Sequence, residues 1–347
     1  MSDQNKTIPA ADLKTFVAGL FKAKGLDAEW SAIIADALVW AELRGVESHG
    51  LGRVPRYLEL LDSGEANARA DLRIEQPRAA TAIVHADGAP GPVAMTLGMR
   101  RAIDIAKEAG VGWVSVRGTV HTGAVGHYAD QAAQAGLIGI AIVAGMPNMG
   151  YTGVKGAAVA TSPLAIAVPS SDHGTVLLDM ATATIALGRI AQHLQKGIPL
   201  PEGAATTKEG EPTTDPAVAA IPTPMAGAKG SGMSLMFEFL TSVLTDNAIV
   251  APFHEKAPGG RKHRQNASLI AVDIAAFREP AGYRAAIDAA ILAIKGLPRA
   301  DEGTEILVPG ERGGRTLKAR SASGLTVRPK LWAQLEKAAA DNGVALP

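Results

Sequence analysis

Between residues 111 and 180, short apolar runs typical of buried strands alternate with a helical segment, and this pattern constrains the fold more than any other feature. A strand, a helix and three further strands are predicted, in chain order, at residues 111–116, 126–135, 137–144, 164–168 and 175–180. Strands interleaved with helices are typical of α/β domains. The sequence therefore predicts an α/β centre built around a buried sheet.

Hydrophobic periodicity predicts helices on both sides of this centre. The predicted helices cover residues 10–24, 27–43, 93–109, 233–244, 283–295 and 329–342. A further strand is predicted at residues 268–273, and residues 199–227 form a long segment rich in Pro, Gly, Thr and charged residues. A connection of this length is expected to act as a lid or a wall of a site.

The composition excludes several classes of function. With 34 basic and 34 acidic side chains, the chain lacks the charge excess that nucleic acids or anionic membranes attract, so a small-molecule partner is expected. The absence of cysteine excludes disulfides and thiolate metal sites, and it is compatible with a reducing compartment. The amino terminus has no signal-peptide pattern. The longest apolar run, residues 137–146, is far shorter than the ~20 residues that cross a bilayer.

The segment at residues 44–53, Arg-Gly-Val-Glu-Ser-His-Gly-Leu-Gly-Arg, has the composition of a functional site. It places His49 on a short connection between a helix that Gly45 is expected to end and a second helix that starts near Pro55. Glycine lets backbone and ligand approach closely, and an imidazole can transfer protons near neutral pH. His49 is therefore a candidate general acid. Ser48 is expected to orient His49 or to bind substrate, with helix capping as the structural alternative.

The adjacent Ser48 and His49 also raise the possibility of a serine hydrolase. Neighbouring residues rarely place a serine oxygen on the ring nitrogen of the next residue, and catalytic triads assemble from separate segments. The chain also contains no Gly-x-Ser-x-Gly elbow. Both arguments disfavour hydrolase chemistry.

A second candidate site lies at residues 121–128, between a predicted strand and a predicted helix. His121 follows the strand, where a side chain can meet a ligand, although a half-buried structural histidine is an equal alternative. His127 is predicted on the helix surface. The two histidines are six residues apart, too far for one helix face, so a metal site is not expected.

Two common nucleotide-binding motifs are absent from the sequence. Residues 230–235, Gly-Ser-Gly-Met-Ser-Leu, lack the third glycine of the dinucleotide fingerprint and follow a polar segment. Residues 227–230 contain Lys229 without the spacing of a P-loop. Small residues at 226–231 nevertheless lead into a predicted helix, whose amino terminus attracts anions. An anion site and a tight loop with a solvated lysine both remain open here.

Five further motifs lie at residues 161–169, 179–182, 212–216, 229–232 and 309–312. Together with residues 44–53 and the His121 segment, they resemble those of the type-2 malate/L-lactate dehydrogenases, and the resemblance covers nearly the whole chain. This group also includes ureidoglycolate and sulfolactate dehydrogenases, diketogulonate reductases and piperideine/pyrroline-2-carboxylate reductases. The resemblance implies a non-Rossmann α/β fold with N-terminal helices and a mixed central sheet, binding of NAD or NADP, and a homodimer.

The resemblance also implies roles for individual residues. His49 matches the proton donor to the carbonyl or imine, and Ser48 matches the hydroxyl that assists it. Arg53, Thr161 and His121 match substrate contacts, and a guanidinium offers a bidentate fork to a carboxylate. The matched cofactor contacts are His121, Thr122, Gly123, Ala124, Val125, Asp179, Met180, Ala181, Lys229, Gly230, Pro309, Gly310, Glu311 and Arg312.

On this resemblance three regions are expected. Residues 1–118 would carry the helices and the loop of His49, residues 119–245 would bind the cofactor, and residues 246–347 would pack back on the N-terminal part.

Departures from the family pattern concern the substrate. Arg189 stands where imine-reducing members tend to carry an aspartate, which favours a 2-oxo acid and places Arg189 among the catalytic candidates; a solvated helix-face arginine is its alternative. Val120 replaces the usual asparagine before His121, and Ala160 and Ser162 replace residues of the usual Gly-Thr-Asn-Pro. The choice of substrate is therefore open. Candidates for binding a 2′-phosphate of NADP are Lys155, Arg189, Lys229 and Arg312.

Two classes of function follow. The first is a cytoplasmic NAD(P)-dependent dehydrogenase acting on a small 2-oxo or 2-hydroxy carboxylate, with reduction of a cyclic 2-imino acid as the alternative reaction. The second is a non-catalytic protein that binds a dinucleotide. The combination of Ser48, His49 and Arg53 favours the first.

Overall fold

A seven-stranded mixed sheet forms the centre of the protein in the computed structural model, which describes residues 5–260 and 262–347. The strands are β1 (Lys6–Ile8), β2 (Arg73–Arg78), β3 (Thr81–His85), β4 (Val111–Thr119), β5 (Ile138–Gly145), β6 (Leu164–Pro169), β7 (Thr175–Met180), β8 (Ala205–Thr206), β9 (Pro212–Thr213), β10 (Ile221–Pro222), β11 (Gln265–Val272) and β12 (Leu325–Val327). The central sheet has the order β2-β3-β4-β11-β5-β6-β7, in which β3 and β4 are parallel and the other pairs antiparallel. The predicted mixed sheet is confirmed.

Helices cover both faces of this sheet. The helices are α1 (Ala10–Ala23), α2 (Ala28–Leu43), α3 (Val54–Asp62), α4 (Gly91–Ala109), α5 (Gly126–Gln134), α6 (Leu187–Lys196), α7 (Ala228–Thr241), α8 (Val250–His254), α9 (Pro280–Lys295), α10 (Glu311–Ser323) and α11 (Pro329–Asn342). Successive strand residues point to opposite faces. On β11, Leu269 lies in the core formed with α4, whereas the Ser268 hydroxyl donates to the Leu240 carbonyl of α7 at 2.7 Å. The sheet is therefore enclosed between α4 and α5 on one face and α7 on the other.

Glycines in two strands allow the covering helices to lie unusually close. A Cβ at Gly112 of β4 would lie 2.1 Å from the Ala102 carbonyl oxygen of α4. A Cβ at Gly139 of β5 would lie 2.2 Å from the Ala129 carbonyl oxygen of α5. Alanines dominate the facing helix surfaces, and the resulting core is close-packed.

A second core joins the two ends of the chain. Helices α1, α2 and α3 pack with α11 through apolar side chains such as Leu13, Leu20, Leu38 and Leu335. Strand β1 pairs antiparallel with β12, from Lys6 opposite Val327 to Ile8 opposite Leu325. This helical layer supports the loop that carries His49. The division of the chain near residues 118 and 245 stays a prediction.

Several predicted elements differ from those observed. The helix predicted at residues 233–244 begins earlier, at Ala228, and ends at Thr241, because the small residues before Met233 are compatible with the first helical turn. The polar segment at residues 199–227 contains the small sheet β10-β8-β9. The hairpin of β2 and β3 and the helices α6 and α10 were not predicted from periodicity. Among the described residues, no helix is long and apolar enough to span a membrane.

Candidate active site

The loop at residues 44–53 folds into two consecutive 3-10 turns between α2 and α3. Gly45 adopts φ +77°, a conformation that favours glycine, and follows the end of α2 as predicted. The first turn, Glu47–His49, carries the histidine, and the second, Leu51–Arg53, carries the arginine. Both functional side chains are therefore held on short, hydrogen-bonded backbone between two packed helices.

Within this loop, Ser48 and His49 contact each other directly. The Ser48 Oγ lies 2.9 Å from the His49 Nδ1, and the Arg53 Nε donates to the Ser48 carbonyl oxygen at 2.6 Å. The contact supports the orienting role predicted for Ser48. The expectation that adjacent residues would not bring these two atoms together is wrong, because the tight 3-10 turn folds the serine hydroxyl back onto the ring.

The environment of His49 favours the neutral imidazole. Its side chain is half-buried, and burial lowers the pKa of His49 to about 4, with the positive charge of Arg53 as the second cause. A proton on His49 is thus disfavoured until a negative charge enters the site. The Arg53 guanidinium, on the next turn of the loop, can attract such a charge.

His121 follows β4, as predicted, and its ring stacks on that of His49. The two rings are nearly parallel, at 16°, and their centroids are 5.6 Å apart. The Tyr57 hydroxyl lies 2.8 Å from the His121 Nδ1, and burial, followed by the nearby charge of His49, lowers the pKa of His121 well below its usual value. Tyr57 was not identified from sequence; its spacing of four residues from Arg53, one helical turn, was the available signal.

His127 is buried, which contradicts the prediction of a helix-surface residue. Its side chain is 5% exposed and packs edge-on against Trp40 of α2, because α5 is covered by the N-terminal helices. Burial lowers the pKa of His127 to about 4, although Asp36 acts in the opposite direction. Within residues 5–260 and 262–347, no group of His, Asp or Glu residues has a metal-binding arrangement.

The predicted cofactor segment after His121 lies against Asp179 of β7. The Gly126 amide donates to the Asp179 Oδ2 at 3.0 Å, and a Cβ at Gly126 would lie 2.6 Å from that oxygen. Although Asp179 as a whole is exposed to solvent, neighbouring protein atoms partly desolvate its carboxyl group, and this raises its pKa. Residues 122–125, which lead into Gly126, are buried.

The segment that precedes α10 lies beside the same strand. The Leu177 amide donates to the Pro309 carbonyl oxygen at 3.1 Å, and the Arg44 guanidinium donates to the Gly310 carbonyl oxygen at 3.1 Å. Arg312 is exposed. Glu311 is hydrogen-bonded to the Lys295 ammonium at 2.6 Å, which is the main reason that its pKa is lowered to about 2. The structure thus brings residues 309–312 close to β7 and to the start of the His49 loop.

Hydrogen bonds of Thr182 connect Thr161 to the segment that precedes Lys229 and Gly230. The Thr182 amide and hydroxyl both donate to the Thr161 carbonyl oxygen at 2.9 Å. The Met225 amide donates to the Thr182 carbonyl oxygen at 2.8 Å, and a Cβ at Gly230 would lie 2.4 Å from the Met225 carbonyl oxygen. Lys229 is exposed at the amino terminus of α7, where both an anion site and a solvated lysine remain compatible with the geometry.

Arg189 lies at the rim of the His49 loop. Its neighbour Gly188 packs closely on Ser48, since a Cβ at Gly188 would lie 3.0 Å from the Ser48 Cβ. The Arg189 side chain itself is exposed on α6. Met180 and Ala181 link Asp179 to Thr182 along the chain. The substrate and cofactor roles of all these residues stay predictions.

A cavity of about 410 Å³ opens beside this arrangement. Its lining comes from residues 150–156, from the small sheet and from residues 222–227, with Thr184 and Thr206 among the polar side chains. It contains none of the histidines and does not include Arg53. The titratable ring of His49 and the Arg53 guanidinium lie outside this cavity, in the 44–53 loop.

Comparisons with known proteins identify the family. The family model described as malate/L-lactate dehydrogenase matches residues 8–336. Malate/(S)-sulfolactate dehydrogenase of Methanothermus fervidus is 31% identical over 96% of this chain and 97% of that protein. Ureidoglycolate dehydrogenase (NAD(+)) of Escherichia coli O157:H7 is 38% identical over 63% of each chain.

A solved structure, that of sulfolactate dehydrogenase from Methanocaldococcus jannaschii, superimposes with a TM-score of 0.87. The two sequences are 32% identical, and the match covers 98% of each chain. The family fold implied by the sequence motifs is therefore confirmed. This chain belongs to the malate/L-lactate dehydrogenase family.

Proposed function

We propose that the protein is an NAD(P)-dependent oxidoreductase that transfers a hydride between a nicotinamide cofactor and a small 2-oxo or 2-hydroxy carboxylate. The observation that carries the proposal is the His49 loop. It presents the His49 imidazole, which contacts the Ser48 hydroxyl at 2.9 Å. The Arg53 guanidinium is held beside it by the hydrogen bond from its Nε to the Ser48 carbonyl oxygen, at 2.6 Å. A proton-transfer group beside a carboxylate-binding group is the combination that this reaction needs.

Each residue of the loop has a distinct task in the proposed reaction. The Arg53 guanidinium binds the substrate carboxylate and so orients the neighbouring carbonyl carbon. In reduction, His49 gives a proton to the carbonyl oxygen, while Ser48 holds the ring through its Nδ1. In oxidation, neutral His49 accepts the proton of the substrate hydroxyl. The nicotinamide supplies or accepts the hydride when bound.

The electrostatics of the site couple substrate binding to proton transfer. Without substrate, burial and Arg53 keep the pKa of His49 at about 4, so the ring is neutral near pH 7. A bound carboxylate offsets the charge of Arg53 and raises the pKa of His49. The site thus favours protonation of His49 only when an acid substrate is present.

The carboxylate of β7 and the nearby basic side chains have the chemistry to bind a dinucleotide. A carboxylate such as that of Asp179 can accept hydrogen bonds from ribose hydroxyls, and the exposed cations Lys229 and Arg312 can pair with phosphates. Gly126 allows the backbone to approach Asp179 more closely than any larger residue would. We propose these residues, with His121, residues 122–125, Met180, Ala181, Gly230 and residues 309–311, as the cofactor site.

We also propose a homodimer that works in the cytoplasm. Met236 and Phe239 of α7 and Val243 of the short turn that follows α7 are about half-exposed and are spaced three and four residues apart, so they form one apolar face. Exposed apolar patches of this kind mark protein interfaces. The absence of cysteine is compatible with a reducing compartment.

The test is a cofactor-oxidation assay. NADH and NADPH are each mixed with the protein and a panel of 2-oxo acids, including pyruvate, oxaloacetate and ureidooxalate, and with cyclic 2-imino acids as a separate arm. We expect turnover with at least one 2-oxo acid. Turnover with imino acids alone would indicate the alternative reaction. No turnover in either arm, with cofactor still bound, would identify a non-catalytic binding protein.

The loop is tested in the same assay by His49→Ala. We expect this substitution to reduce kcat at least about 100-fold while cofactor binding is retained, because general acid–base groups typically contribute 10²–10⁴-fold. His85→Ala is the matched control, since His85 pairs with Glu75 at the edge of the sheet, and it is expected to leave kcat unchanged. Undiminished turnover in His49→Ala would remove His49 from the mechanism.

A further inference from the structure

Glu42 is a buried carboxyl group beneath the His49 loop that the proposed reaction does not use. It lies in the last turn of α2, and its side chain is only 7% exposed. Buried carboxyl groups are costly unless a specific hydrogen bond or charge compensates them. The contacts of Glu42 therefore indicate what this group does.

The carboxylate holds the junction between the two 3-10 turns. The Leu51 amide donates to the Glu42 Oε2 at 3.0 Å, and Leu51 is fully buried. Gly50, the residue between the turns, lies directly against the same oxygen, because a Cβ there would be 2.1 Å from it. The contact thus fixes the point at which the turn of Ser48 and His49 passes into the turn of Arg53.

The charged groups around Glu42 are Glu47 of the loop, Arg320 of α10 and Arg328, which precedes α11. The Arg320 guanidinium donates to the Glu42 backbone carbonyl and pairs with the Glu47 carboxylate at 3.1 Å; Arg328 pairs with Glu47 at 3.0 Å. These two arginines are thereby paired with Glu47, so Glu42 is held mainly by the Leu51 amide. Burial raises the pKa of Glu42 to about 7.

We propose that Glu42 is a positioning residue whose side-chain oxygen clamps the Gly50–Leu51 junction and so sets the placement of His49 relative to Arg53. This inference rests on the proposed function. A displacement of about 1 Å in such a constellation is enough to cost roughly 100-fold in rate. The side-chain oxygen is the essential feature, because an amide accepts the Leu51 hydrogen bond as a carboxylate does.

The test compares Glu42→Gln with Glu42→Ala. We expect Glu42→Gln to retain kcat and substrate KM within about threefold. Glu42→Ala is expected to lower kcat and to raise substrate KM, so that kcat/KM falls at least about tenfold, because both His49 and Arg53 are displaced. The dissociation constant of the reduced cofactor, measured by fluorescence without substrate, is expected to stay unchanged. Hydrogen exchange of the Leu51 amide is expected to accelerate in Glu42→Ala but not in Glu42→Gln.

A double-mutant cycle with Gly50→Ala tests the contact itself. The added Cβ clashes with the Glu42 carboxyl, so Gly50→Ala is expected to lower kcat/KM strongly in the wild-type background. In the Glu42→Ala background the clash is relieved, and the further loss is expected to be at least threefold smaller. Equal losses in both backgrounds would contradict the clamp.

Three results separate the possible failures. Wild-type kinetics in Glu42→Ala, with only a lower melting temperature, would overturn the positioning role. Equal loss in Glu42→Gln and Glu42→Ala would overturn the claim that the side-chain oxygen suffices. If the wild-type protein shows no turnover, the proposed function fails, and the exchange rate of the Leu51 amide alone decides whether Glu42 holds the loop.

Discussion

Two titratable residues of the same loop region are shifted in opposite directions by the same cause. Burial lowers the pKa of His49 to about 4 and raises the pKa of Glu42 to about 7, because a low-dielectric environment disfavours the charged form of each. In the absence of ligands, the site therefore disfavours charge on both groups. A substrate carboxylate bound at Arg53 is expected to raise the pKa of His49, because it offsets the positive charge that is the second cause of the shift.

Substrate binding is expected to take up protons through His49. Oxamate carries a carboxylate beside a carbonyl, so binding at Arg53 should raise the pKa of His49 from about 4 towards its ordinary value. Calorimetric titration of the protein with oxamate at pH 6, with NADH saturating, in two buffers of different ionisation enthalpy should reveal uptake of a fraction of a proton. His49→Gln is the control and should show none. Equal uptake by both proteins would assign the proton to another group.

Glu42 is expected to destabilise the folded protein as pH rises. Its pKa is raised from 4.5 to about 7, so the stability it contributes is present below pH 4.5 and is lost as pH rises through 7. Glu42→Gln lacks this ionisation. The free energy of unfolding of the variant relative to wild type should therefore increase between pH 5 and pH 8, by up to about 3 kcal/mol. Urea unfolding at the two pH values measures it; a difference that does not depend on pH would contradict the assignment.

At the scale of secondary-structure elements, the site depends on where chain segments approach one another. The end of β4 supplies His121, β7 supplies Asp179, and the segment before α10 packs on β7 and on Arg44. Glycines make several of these approaches possible. Gly310 is the most restricted, because it combines φ +83° with a carbonyl and an amide of Leu177, each 2.9 Å from a Cβ placed there.

Gly310→Ala and Gly314→Ala are expected to change stability in opposite directions. Gly310→Ala introduces strain at a left-handed residue and a backbone clash, and should destabilise the protein by roughly 1–3 kcal/mol. Gly314 lies inside α10, and a Cβ added to it would meet no atom within 4 Å, so alanine there should stabilise by up to about 1 kcal/mol. Urea unfolding without cofactor compares them. If Gly310→Ala left the free energy of unfolding unchanged, β7 and α10 would have to be able to separate freely.

At the scale of the whole molecule, apolar side chains remain on the surface after both cores have formed. Phe239 on α7 is 46% exposed, within the apolar face shared with Met236 and Val243. Such a face is costly in water and is stabilised when a second copy covers it. This is the physical basis for the proposed homodimer.

Size-exclusion chromatography with light scattering is expected to give twice the mass of the 35.7 kDa chain. Phe239→Glu should shift the protein towards the monomer, because it places a charge in the covered face. Leu346→Glu, at an exposed position near the carboxyl terminus, is the matched control and should leave the mass unchanged. A monomeric wild-type protein would contradict the proposed dimer. A dimer that Phe239→Glu does not weaken would show that its interface lies elsewhere.

Local pattern was sufficient for most of the regular elements but not for their arrangement. The periodicities predicted α2 and β5 closely, because buried faces repeat within a few residues of sequence. Nothing local indicated that β11 lies between β4 and β5, since strand order depends on pairing between distant segments. The exposure of His127 was mispredicted for a similar reason: Trp40, which covers it, belongs to another helix.

The sequence by itself determined the α/β class, the glycine-rich connection with Ser48, His49 and Arg53, and the family, since these depend on residue types at short spacing. Only the tertiary structure brought His121 onto His49 and Tyr57 onto His121, and placed Glu42 beneath Leu51. Burial, which arises from packing between distant segments, also shifts the pKa values of His49 and Glu42. The groups that we propose to react are therefore identifiable in the loop sequence, whereas their electrostatic environment exists only once the chain has folded.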